Sequence, residues 1–318
     1  MGAERERPVV VLTGPTASGK TGAGVSLARA LDAEIVSVDS GLVYRRLDIG
    51  TAKPTLAERG GVPHHLIDVR EPWEPYSAAD FVAAAVRLIG EIRARGRTPL
   101  LVGGTLLYVR ALERGLAPLP PADERVRADI AAEAARRGWP ALHAELARVD
   151  RRAAARIHPN DRQRLQRALE VYRLTGVALG ELQRRTRAPL ARAPLVLALA
   201  PERREWLHER IARRLDAMVA EGFLDEVRAL RSEPLVHAGL PAMRSVGYRQ
   251  AFEHLDGGER SDDDWVARAR AATRRLAKRQ LTWLRGVETL HVVPCDTLSE
   301  AARDAALLDR LAAAGVSR

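Results

Sequence analysis

The segment VVVLTGPTASGKT, residues 9 to 21, constrains the fold of this 318-residue chain more than any other feature. Three valines and a leucine lead into Gly14, and residues 14 to 21 match the phosphate-loop pattern G-x-x-x-x-G-K-[ST] at every defined position. This order is typical of a β-strand that enters the loop, with a helix from Gly22 to Leu31 after it. The sequence therefore predicts a strand, a glycine-rich loop and a helix that together bind an anion.

The loop has the chemistry of a site for a phosphate chain. Gly14 and Gly19 permit backbone torsions and a close approach that a side chain would block, so successive amide hydrogens can point at an anion. Lys20 adds a positive charge, Thr21 offers a hydroxyl to Mg²⁺, and the helix directs its positive dipole end to the same place. We predict a diphosphate or triphosphate with Mg²⁺ as the ligand; a chance glycine-rich turn is the alternative. The predicted binding residues are Gly14, Pro15, Thr16, Ala17, Ser18, Gly19, Lys20 and Thr21.

Composition indicates a folded chain with an excess of positive charge. A hydrophobic content of 46% with 29% charged residues is typical of a soluble globular protein rather than a disordered one. The formal charge of +10 suits a polyanion binder, although an arginine-rich composition can also reflect genome bias. The first residues, MGAERERP, are charged and lack an apolar stretch of signal-peptide length, which predicts a cytoplasmic protein. The single cysteine, Cys295, has no metal-ligand spacing around it and is predicted to be a buried or incidental thiol.

A second apolar run, residues 33 to 40, contains an acid near its end. Because the carboxyl ends of parallel strands line one crevice, we expect Asp39 at the same rim as the phosphate loop. There it is a candidate Mg²⁺ ligand or general base, and a helix N-cap or turn aspartate is the alternative. We predict a further strand over residues 61 to 69. Its His64 and His65 have no carboxylate or cysteine at ligand spacing, so we assign no metal to them.

The buried strand predicted over residues 98 to 105 is informative for what it lacks. A nucleotide-hydrolysing phosphate-loop protein usually carries an aspartate at the end of such a strand. Here the strand ends in Val102-Gly103-Gly104-Thr105, which suits close backbone approach to a ligand better than activation of water. The sequence therefore favours a phosphate-binding enzyme that is not an ATPase.

The remaining pattern predicts an α/β fold with an insertion. Residues 1–116 and 194–318 form a P-loop NTPase or kinase-like parallel sheet core flanked by helices. Residues 117–193 form a helical insertion domain, with helices over residues 124–137, 141–149 and 162–175. The insertion has several arginines that could contact a nucleic acid, although a solvated helix face explains them equally well. They include Arg162, Arg164, Arg167, Arg184, Arg185 and Arg187.

A strongly basic helix, predicted over residues 264–285, gives the best internal evidence for a nucleic acid partner. Arg274 and Lys278, like Arg275 and Arg279, lie one helical turn apart, where like charges repel unless a polyanion covers them. The segment RSVGYRQ before it offers arginine and tyrosine planes that can stack on an unpaired base.

Together these motifs resemble the tRNA dimethylallyltransferase family, also called the tRNA isopentenyltransferases. The resemblance rests on GPTASGKT, SVDSGLVYRRLDIGTAKP, YSAADF, LLVGGTLLYVRAL, ARIHPNDRQRLQRALEVY, RSVGYRQ and LAKRQLTWLR, in family order from about residue 9 to residue 285. Only the termini and the linker at residues 256 to 262 lie outside it. Gly41 stands where many relatives carry alanine, a small departure from the family pattern.

The resemblance implies transfer of a dimethylallyl group from dimethylallyl diphosphate to the exocyclic amine of the adenine 3′ of the anticodon in tRNA. Diphosphate would then be a leaving group, which accounts for a phosphate loop without the hydrolytic aspartate. By position, Asp39 would accept a proton from the amine, Thr105 would lie beside the reacting centre, and Lys20 and Arg214 would stabilise the diphosphate with Mg²⁺ held at Thr21. The resemblance also implies a monomer.

The same resemblance implies a set of tRNA-binding positions. They are Asp39, Ser40, Gly41, Leu42, Thr105, Arg127, Gln163, Arg164, Leu165, Gln166, Arg167, Arg244, Ser245, Val246, Gly247, Tyr248, Arg249, Arg274, Arg275, Leu276, Ala277, Lys278, Arg279, Gln280 and Leu281. Two other functions fit parts of the sequence. A small-molecule kinase or other nucleoside-triphosphate-dependent phosphotransferase would use the same loop, and a non-enzymatic RNA-binding module would leave Lys20 and Asp39 dispensable.

Overall fold

Six parallel strands form one sheet in the computed structural model, which describes residues 9–257, 262–287 and 290–316. The strand order is β3-β2-β4-β1-β5-β6. The bounds are β1 Val10–Thr13, β2 Ala33–Ser37, β3 His64–His65, β4 Thr98–Val102, β5 Leu195–Ala200 and β6 Leu290–Pro294. The predicted parallel α/β fold is therefore confirmed. Residues 1–8 and most of the predicted linker lie outside the described residues.

Helices cover both faces of this sheet. Those that precede β5 in the chain and belong to the sheet unit are α1 Lys20–Ala30, α2 Leu56–Arg59, α3 Ala78–Ala94 and α4 Leu106–Arg114. Those that follow β5 are α10 Arg204–Ala220, α11 Phe223–Arg231, α12 Tyr248–Asp256, α13 Asp262–Leu284 and α14 Glu300–Ala313. One core joins α1 and α14 to the sheet through Leu27, Leu307 and Leu311. Another joins α3 and α4 to the opposite face through Phe81 and Leu112.

The sheet topology brings the ends of three strands together. β1 pairs with β4 on one side and with β5 on the other, and β4 also pairs with β2. All of these pairs are parallel, so the segments after β1, β2 and β4 leave the sheet at the same edge. Those segments carry the phosphate loop, Asp39 and Thr105.

The chain divides into two compact units, residues 1–113 with 190–318, and residues 114–189. The second unit consists of α5 Glu124–Arg137, α6 Trp139–Val149, α7 Arg151–Arg156, α8 Arg162–Thr175 and α9 Leu179–Arg184. Its own apolar core includes Ile130, Leu142, Leu146 and Leu169. Asp161 caps α8 by accepting a hydrogen bond from the Arg164 amide, as its position before the helical pattern predicts.

Some boundaries differ from the sequence predictions for identifiable reasons. The strand predicted over residues 61 to 69 is only two residues long, because the backbone turns through positive φ at Leu66 and Asp68. The first helix begins at Lys20 rather than Gly22. β6 and α14 were not predicted, although Ser299 caps α14 by accepting a hydrogen bond from the Ala302 amide. Within the described ranges, no helix is long and apolar enough to span a membrane.

Candidate active site

The phosphate loop is closed tightly against the neighbouring strand. Gly14 has a φ of 154°, and a Cβ atom there would lie 2.4 Å from the carbonyl oxygen of Leu199 in β5, so only glycine fits. Gly19 has a φ of 88° at the N-cap of α1, a left-handed conformation that favours glycine. The loop therefore needs its two glycines for close packing and for the turn into the helix.

Three cations meet this loop. Lys20 donates a hydrogen bond to the Pro15 carbonyl at 3.2 Å. Arg214 of α10 donates to the Thr16 hydroxyl at 2.5 Å, and Arg210, one turn earlier, donates to the Ala17 carbonyl at 2.8 Å. Burial lowers the pKa of Lys20 to about 8, an effect that nearby Asp39 opposes and Arg214 reinforces. Partly buried cations gathered at one point create a strongly positive site that an anion would neutralise.

Asp39 and Thr105 follow the ends of neighbouring strands. Asp39 accepts a hydrogen bond from the Gly41 amide at 2.8 Å, which orients its carboxylate. The Thr105 hydroxyl accepts from the Ser40 amide at 3.0 Å and lies 3.3 Å from the Ser40 hydroxyl. Gly103 permits this arrangement, because a Cβ atom there would lie 2.2 Å from the Val38 carbonyl oxygen. The missing acid after β4 is thus replaced by a close backbone contact and a threonine.

A cavity of about 590 Å³ joins these groups. Lys20, Asp39, Thr105 and Arg214 all line it, so the structure brings together the four residues that the sequence analysis assigned to catalysis. Apolar side chains form part of its walls, and Arg244 and Arg279 line it as well. The apolar residues include Leu106, Ile211, Leu215, Met218, Phe223, Leu276 and Trp283. A site that combines cations with hydrocarbon suits a ligand that has a phosphate head and an apolar tail.

A smaller cavity of about 90 Å³ lies against the same cations. Lys20, Asp39 and Arg214 line it as well, together with Thr21 and Ser37. The Ser37 hydroxyl is buried and has no hydrogen-bond partner among the described residues. Oxygen donors of this kind are what Mg²⁺ prefers. The small cavity therefore fits a hard cation beside the phosphate loop.

One carboxylate connects the segment at Gly50 with Tyr248, and both of these line the large cavity. Glu226 of α11 accepts hydrogen bonds from the amides of Asp48 and Ile49 at 2.9 and 2.7 Å and from the Tyr248 hydroxyl at 2.5 Å. Burial, and then Glu226, raises the pKa of Tyr248 well above its ordinary value, so the phenol keeps its proton. Its ring packs edge-on against Phe223 with centroids 5.0 Å apart. Sequence reasoning missed Glu226, because an isolated glutamate on a helix gives no distinguishing pattern.

The basic helix α13 presents two different faces. Arg274, Arg275, Lys278 and Arg279 are exposed, and none of them forms an ion pair within the described part of the chain. Earlier in the same helix Arg270 pairs with Asp216 at 2.7 Å. The four later cations therefore remain available to a polyanion.

The predicted tRNA-binding positions on α8 differ in their surroundings. Gln163 and Arg164 are exposed. Arg167, like Arg127 of α5, pairs with Glu170, whose side chain is completely buried. Burial is the largest single effect on the pKa of Glu170 and raises it, but the hydrogen bonds from Arg167, Asp123 and Arg127 together outweigh it, so the pKa is lowered. Part of the charge of Arg127 and Arg167 therefore stabilises this unit.

Other predicted tRNA-binding residues have buried side chains. Leu165 is completely buried in the core of the helical unit, and Ala277 of α13 is 1% exposed. Any contact that they make with RNA must use the backbone or pass through a neighbouring residue. Their neighbours Arg164 and Lys278 are exposed. The segment from Arg244 to Tyr248 lines the large cavity.

The fold and the site define a class of protein. A parallel sheet whose first strand enters a phosphate loop, with cations and a cavity beside that loop, is a P-loop α/β protein.

Comparison with known proteins gives the family. The IPP transferase family model matches residues 42–287. A tRNA dimethylallyltransferase of Stenotrophomonas maltophilia strain K279a is 59% identical over 292 residues, 90% of this chain and 92% of that protein. A tRNA dimethylallyltransferase of Paracidovorax citrulli is 56% identical over 301 residues, 90% of this chain and 86% of that one.

Solved structures agree with the sequence matches. The full-length tRNA isopentenylpyrophosphate transferase of Bacillus halodurans is similar with a TM-score of 0.71 and 38% identity, covering 97% of this chain and 96% of that one. A eukaryotic dimethylallyltransferase, crystallised acting on tRNA, gives a TM-score of 0.81 with 26% identity over 98% of this chain and 80% of that one. This chain belongs to the IPP transferase family, and it is a prenyltransferase.

Proposed function

We propose that this enzyme transfers a dimethylallyl group from dimethylallyl diphosphate to the N6 amine of the adenine 3′ of the anticodon in tRNA, releasing diphosphate. The observation that carries the proposal is the large cavity, which Lys20, Arg214, Asp39 and Thr105 line together with apolar walls. Those features correspond to a diphosphate head, a prenyl tail and an amine that must lose a proton. The relatives' shared name supplies tRNA as the acceptor.

The reaction needs stabilisation of a leaving group above all. The lone pair of the amine forms a bond to C1 of the dimethylallyl group while the C1–O bond breaks and its electrons remain on diphosphate. Lys20, Arg214 and the loop amides stabilise that developing negative charge in a partly buried site, where electrostatic stabilisation is stronger than in water. Arg210 supports them by holding the Ala17 carbonyl.

The proton on the amine needs an acceptor. Asp39 lies in the same cavity as the cations, and its hydrogen bond from Gly41 fixes the carboxylate without using all of its lone pairs. We assign it the role of general base, which accepts the proton as the nitrogen becomes bonded to carbon. Thr105, held by the Ser40 amide, lies beside the reacting centre as a polar contact for the base.

The proposed metal is Mg²⁺. The residues fit it, since Thr21, Ser37 and Asp39 all offer oxygen atoms to the small cavity and the Ser37 hydroxyl lacks another partner among the described residues. Thr21 would hold the ion at the start of α1. When bound, Mg²⁺ would neutralise charge on the diphosphate oxygens.

The target adenine is stacked within the anticodon loop, so it must leave the stack to reach this cavity. Extrusion of a base costs roughly a few kcal/mol, which contacts to the flipped base and the RNA backbone offset. The exposed cations of α13 and the segment from Arg244 to Tyr248 supply such contacts in the proposal. Tyr248 and Phe223, both completely buried, pack edge-on against each other and support the wall of the cavity from behind.

The proposal is tested with purified protein, labelled dimethylallyl diphosphate, Mg²⁺ and unmodified tRNA. Label should appear on the adenine 3′ of the anticodon, and a tRNA with another base at that position is the matched control. ATP with the same tRNA serves as the second control, since a phosphotransferase would consume it. Label on the control tRNA would contradict the assigned base, and ATP turnover without prenyl transfer would overturn the proposed reaction.

A further inference from the structure

Gln280 connects the basic helix α13 to the phosphate loop. Its side-chain oxygen accepts a hydrogen bond from the Thr16 amide at 2.9 Å, and its side-chain nitrogen donates to the Gly104 carbonyl at 2.9 Å. The residue is 7% exposed and lines the large cavity. These bonds join residues that are 264 and 176 positions apart in the chain.

The two partners determine the orientation of the amide. The Thr16 N–H can only donate and the Gly104 carbonyl can only accept, so a single assignment of the Gln280 oxygen and nitrogen satisfies both. Glutamate has no donor for Gly104, methionine has neither group, and asparagine is one carbon shorter. Of the common side chains of this length, glutamine alone makes both bonds.

Close packing shows that the link is tight. A Cβ atom at Gly104 would lie 2.7 Å from the side-chain nitrogen of Gln280 and 3.3 Å from the Gly14 carbonyl oxygen. It would also lie 3.5 Å from the Lys20 side chain. The segment that follows β4, the phosphate loop and α13 therefore meet at one point, with Gln280 between them.

We propose that Gln280 is a positioning residue for diphosphate binding, an inference that rests on the proposed function. By fixing the Thr16 amide it sets the backbone of the phosphate loop at the residue whose hydroxyl accepts from Arg214. By fixing the Gly104 carbonyl it sets the residue before Thr105. One amide thus aligns the diphosphate site with the residue beside the reacting centre.

The test compares Gln280→Met with Gln280→Glu and with Thr282→Val as a matched control. Thr282 lies on the same helix and is exposed, and its hydrogen-bond partners among the described residues are the Lys278 carbonyl and Arg285. Binding of inorganic diphosphate with Mg²⁺ is measured by calorimetry for each protein, together with KM for dimethylallyl diphosphate and with tRNA affinity. Thermal unfolding is recorded for all of them.

We expect Gln280→Met to weaken diphosphate binding by about tenfold and to raise KM by a similar factor, since two buried hydrogen bonds are lost. Gln280→Glu should weaken diphosphate binding further, because its carboxylate faces the Gly104 carbonyl and the bound anion. Gln280 is one of the implied tRNA-binding positions, but its side chain is buried and makes both of its bonds inside the protein. Affinity for tRNA in the absence of diphosphate should therefore stay within about twofold of the unmodified protein for both variants. Thr282→Val should match the unmodified protein throughout.

A second measurement keeps the inference testable if Gln280→Met is poorly folded. Gly104→Ala pushes on the Gln280 side-chain nitrogen while Gln280 itself is kept, so this single variant should also weaken diphosphate binding. Where both single variants fold, the double variant should lose less than the sum of the two. Unchanged diphosphate affinity and KM in folded Gln280→Met would overturn the inference, as would full additivity with Gly104→Ala. Because the calorimetric probe needs no prenyl transfer, absence of transferase activity in the unmodified protein would count against the proposed function alone.

Discussion

Lys20 is a partly buried cation whose protonation has a direct consequence for ligand binding. Burial lowers its pKa from 10.5 to about 8, whereas a surface lysine stays charged until much higher pH. The charged form is the one that attracts diphosphate, and a bound anion raises the pKa again. The affinity of the protein for diphosphate in the absence of tRNA should therefore be constant below pH 8 and fall above it.

We expect the affinity for dimethylallyl diphosphate to fall by about tenfold per pH unit between pH 8.5 and the pKa of the bound state. Calorimetry from pH 7 to 10 measures it. Lys20→Arg is the matched variant, because arginine keeps its charge throughout this range and should flatten the profile. A flat profile in the unmodified protein would contradict the assignment of Lys20 to the diphosphate.

Asp39 is expected to act in the chemical step rather than in binding. Asp39→Asn keeps the hydrogen bond from Gly41 but cannot accept a proton, so single-turnover transfer should slow by about 10² to 10⁴. tRNA affinity should change by less than about threefold. The control is Asp32→Asn. Asp32 directly precedes the start of β2, away from the site, and pairs with Arg97, so this variant should retain activity. An equal loss of tRNA binding in Asp39→Asn would exclude the general-base role.

At the scale of elements, α13 combines a buried edge with an exposed cationic face. Gln280 and Ala277 pack inward. Arg274, Arg275 and Lys278 are exposed to solvent, and they have no acidic partner among the described residues. Binding of a polyanion to such a face is favourable, because the contact releases counterions.

Replacing Arg274 and Arg275 together by alanine should weaken tRNA binding and reduce the slope of log affinity against log salt by about 1.4 to 1.8. Filter binding at several salt concentrations measures both quantities. The control replaces Arg204 and Arg310, two exposed arginines on α10 and α14 that form no ion pair among the described residues. An unchanged slope in the Arg274 and Arg275 variant would mean that α13 does not contact the RNA.

Helix α10 contributes both a cation for the phosphate loop and apolar side chains for the cavity wall. Residues 211, 214, 215 and 218 share a face, so an arginine for the phosphate loop and three apolar residues for the cavity wall lie on one stripe. Arg210, on the neighbouring stripe, stacks on Trp206 at 4.8 Å and holds the Ala17 carbonyl. The cation and the hydrocarbon wall are thus positioned by the same helix.

At the scale of the whole molecule, the unit of residues 114–189 has its own core and interrupts the sheet unit at one place. Leu112 and Leu190, at either end of the interruption, belong to the same apolar cluster. A short Gly-Ser linker should therefore replace residues 116–187 without separating the flanking strands from the sheet.

Such a deletion should leave a folded protein that binds inorganic diphosphate with Mg²⁺ within about threefold of the full chain, because the cavity residues all lie outside the deleted segment. tRNA affinity should fall by roughly tenfold or more if the arginines of that unit contact RNA. Calorimetry and filter binding measure the two. Undiminished tRNA affinity would mean that those arginines form a solvated surface and do not contact the RNA.

The sequence by itself determined the fold class, because the phosphate loop and the strand and helix patterns around it are local and strongly periodic. It also indicated Lys20 through the phosphate-loop motif and Asp39 through its place after a strand that a parallel sheet brings to the same edge, whereas the role of Thr105 came from the family resemblance. Short or irregular elements were not predicted correctly from the sequence. β3 was overextended, because the turns at Leu66 and Asp68 leave no mark in the hydrophobic pattern.

Only the tertiary structure decided which distant residues meet. Gln280 reaches Thr16 across 264 positions, and Glu226 gathers the amides of Asp48 and Ile49 from another part of the chain. It also separated the arginines that pair with Glu170 from those that remain open to solvent. The physical reason is that periodicity encodes which face of an element is buried, whereas hydrogen-bond partners and ion pairs depend on how separate elements pack.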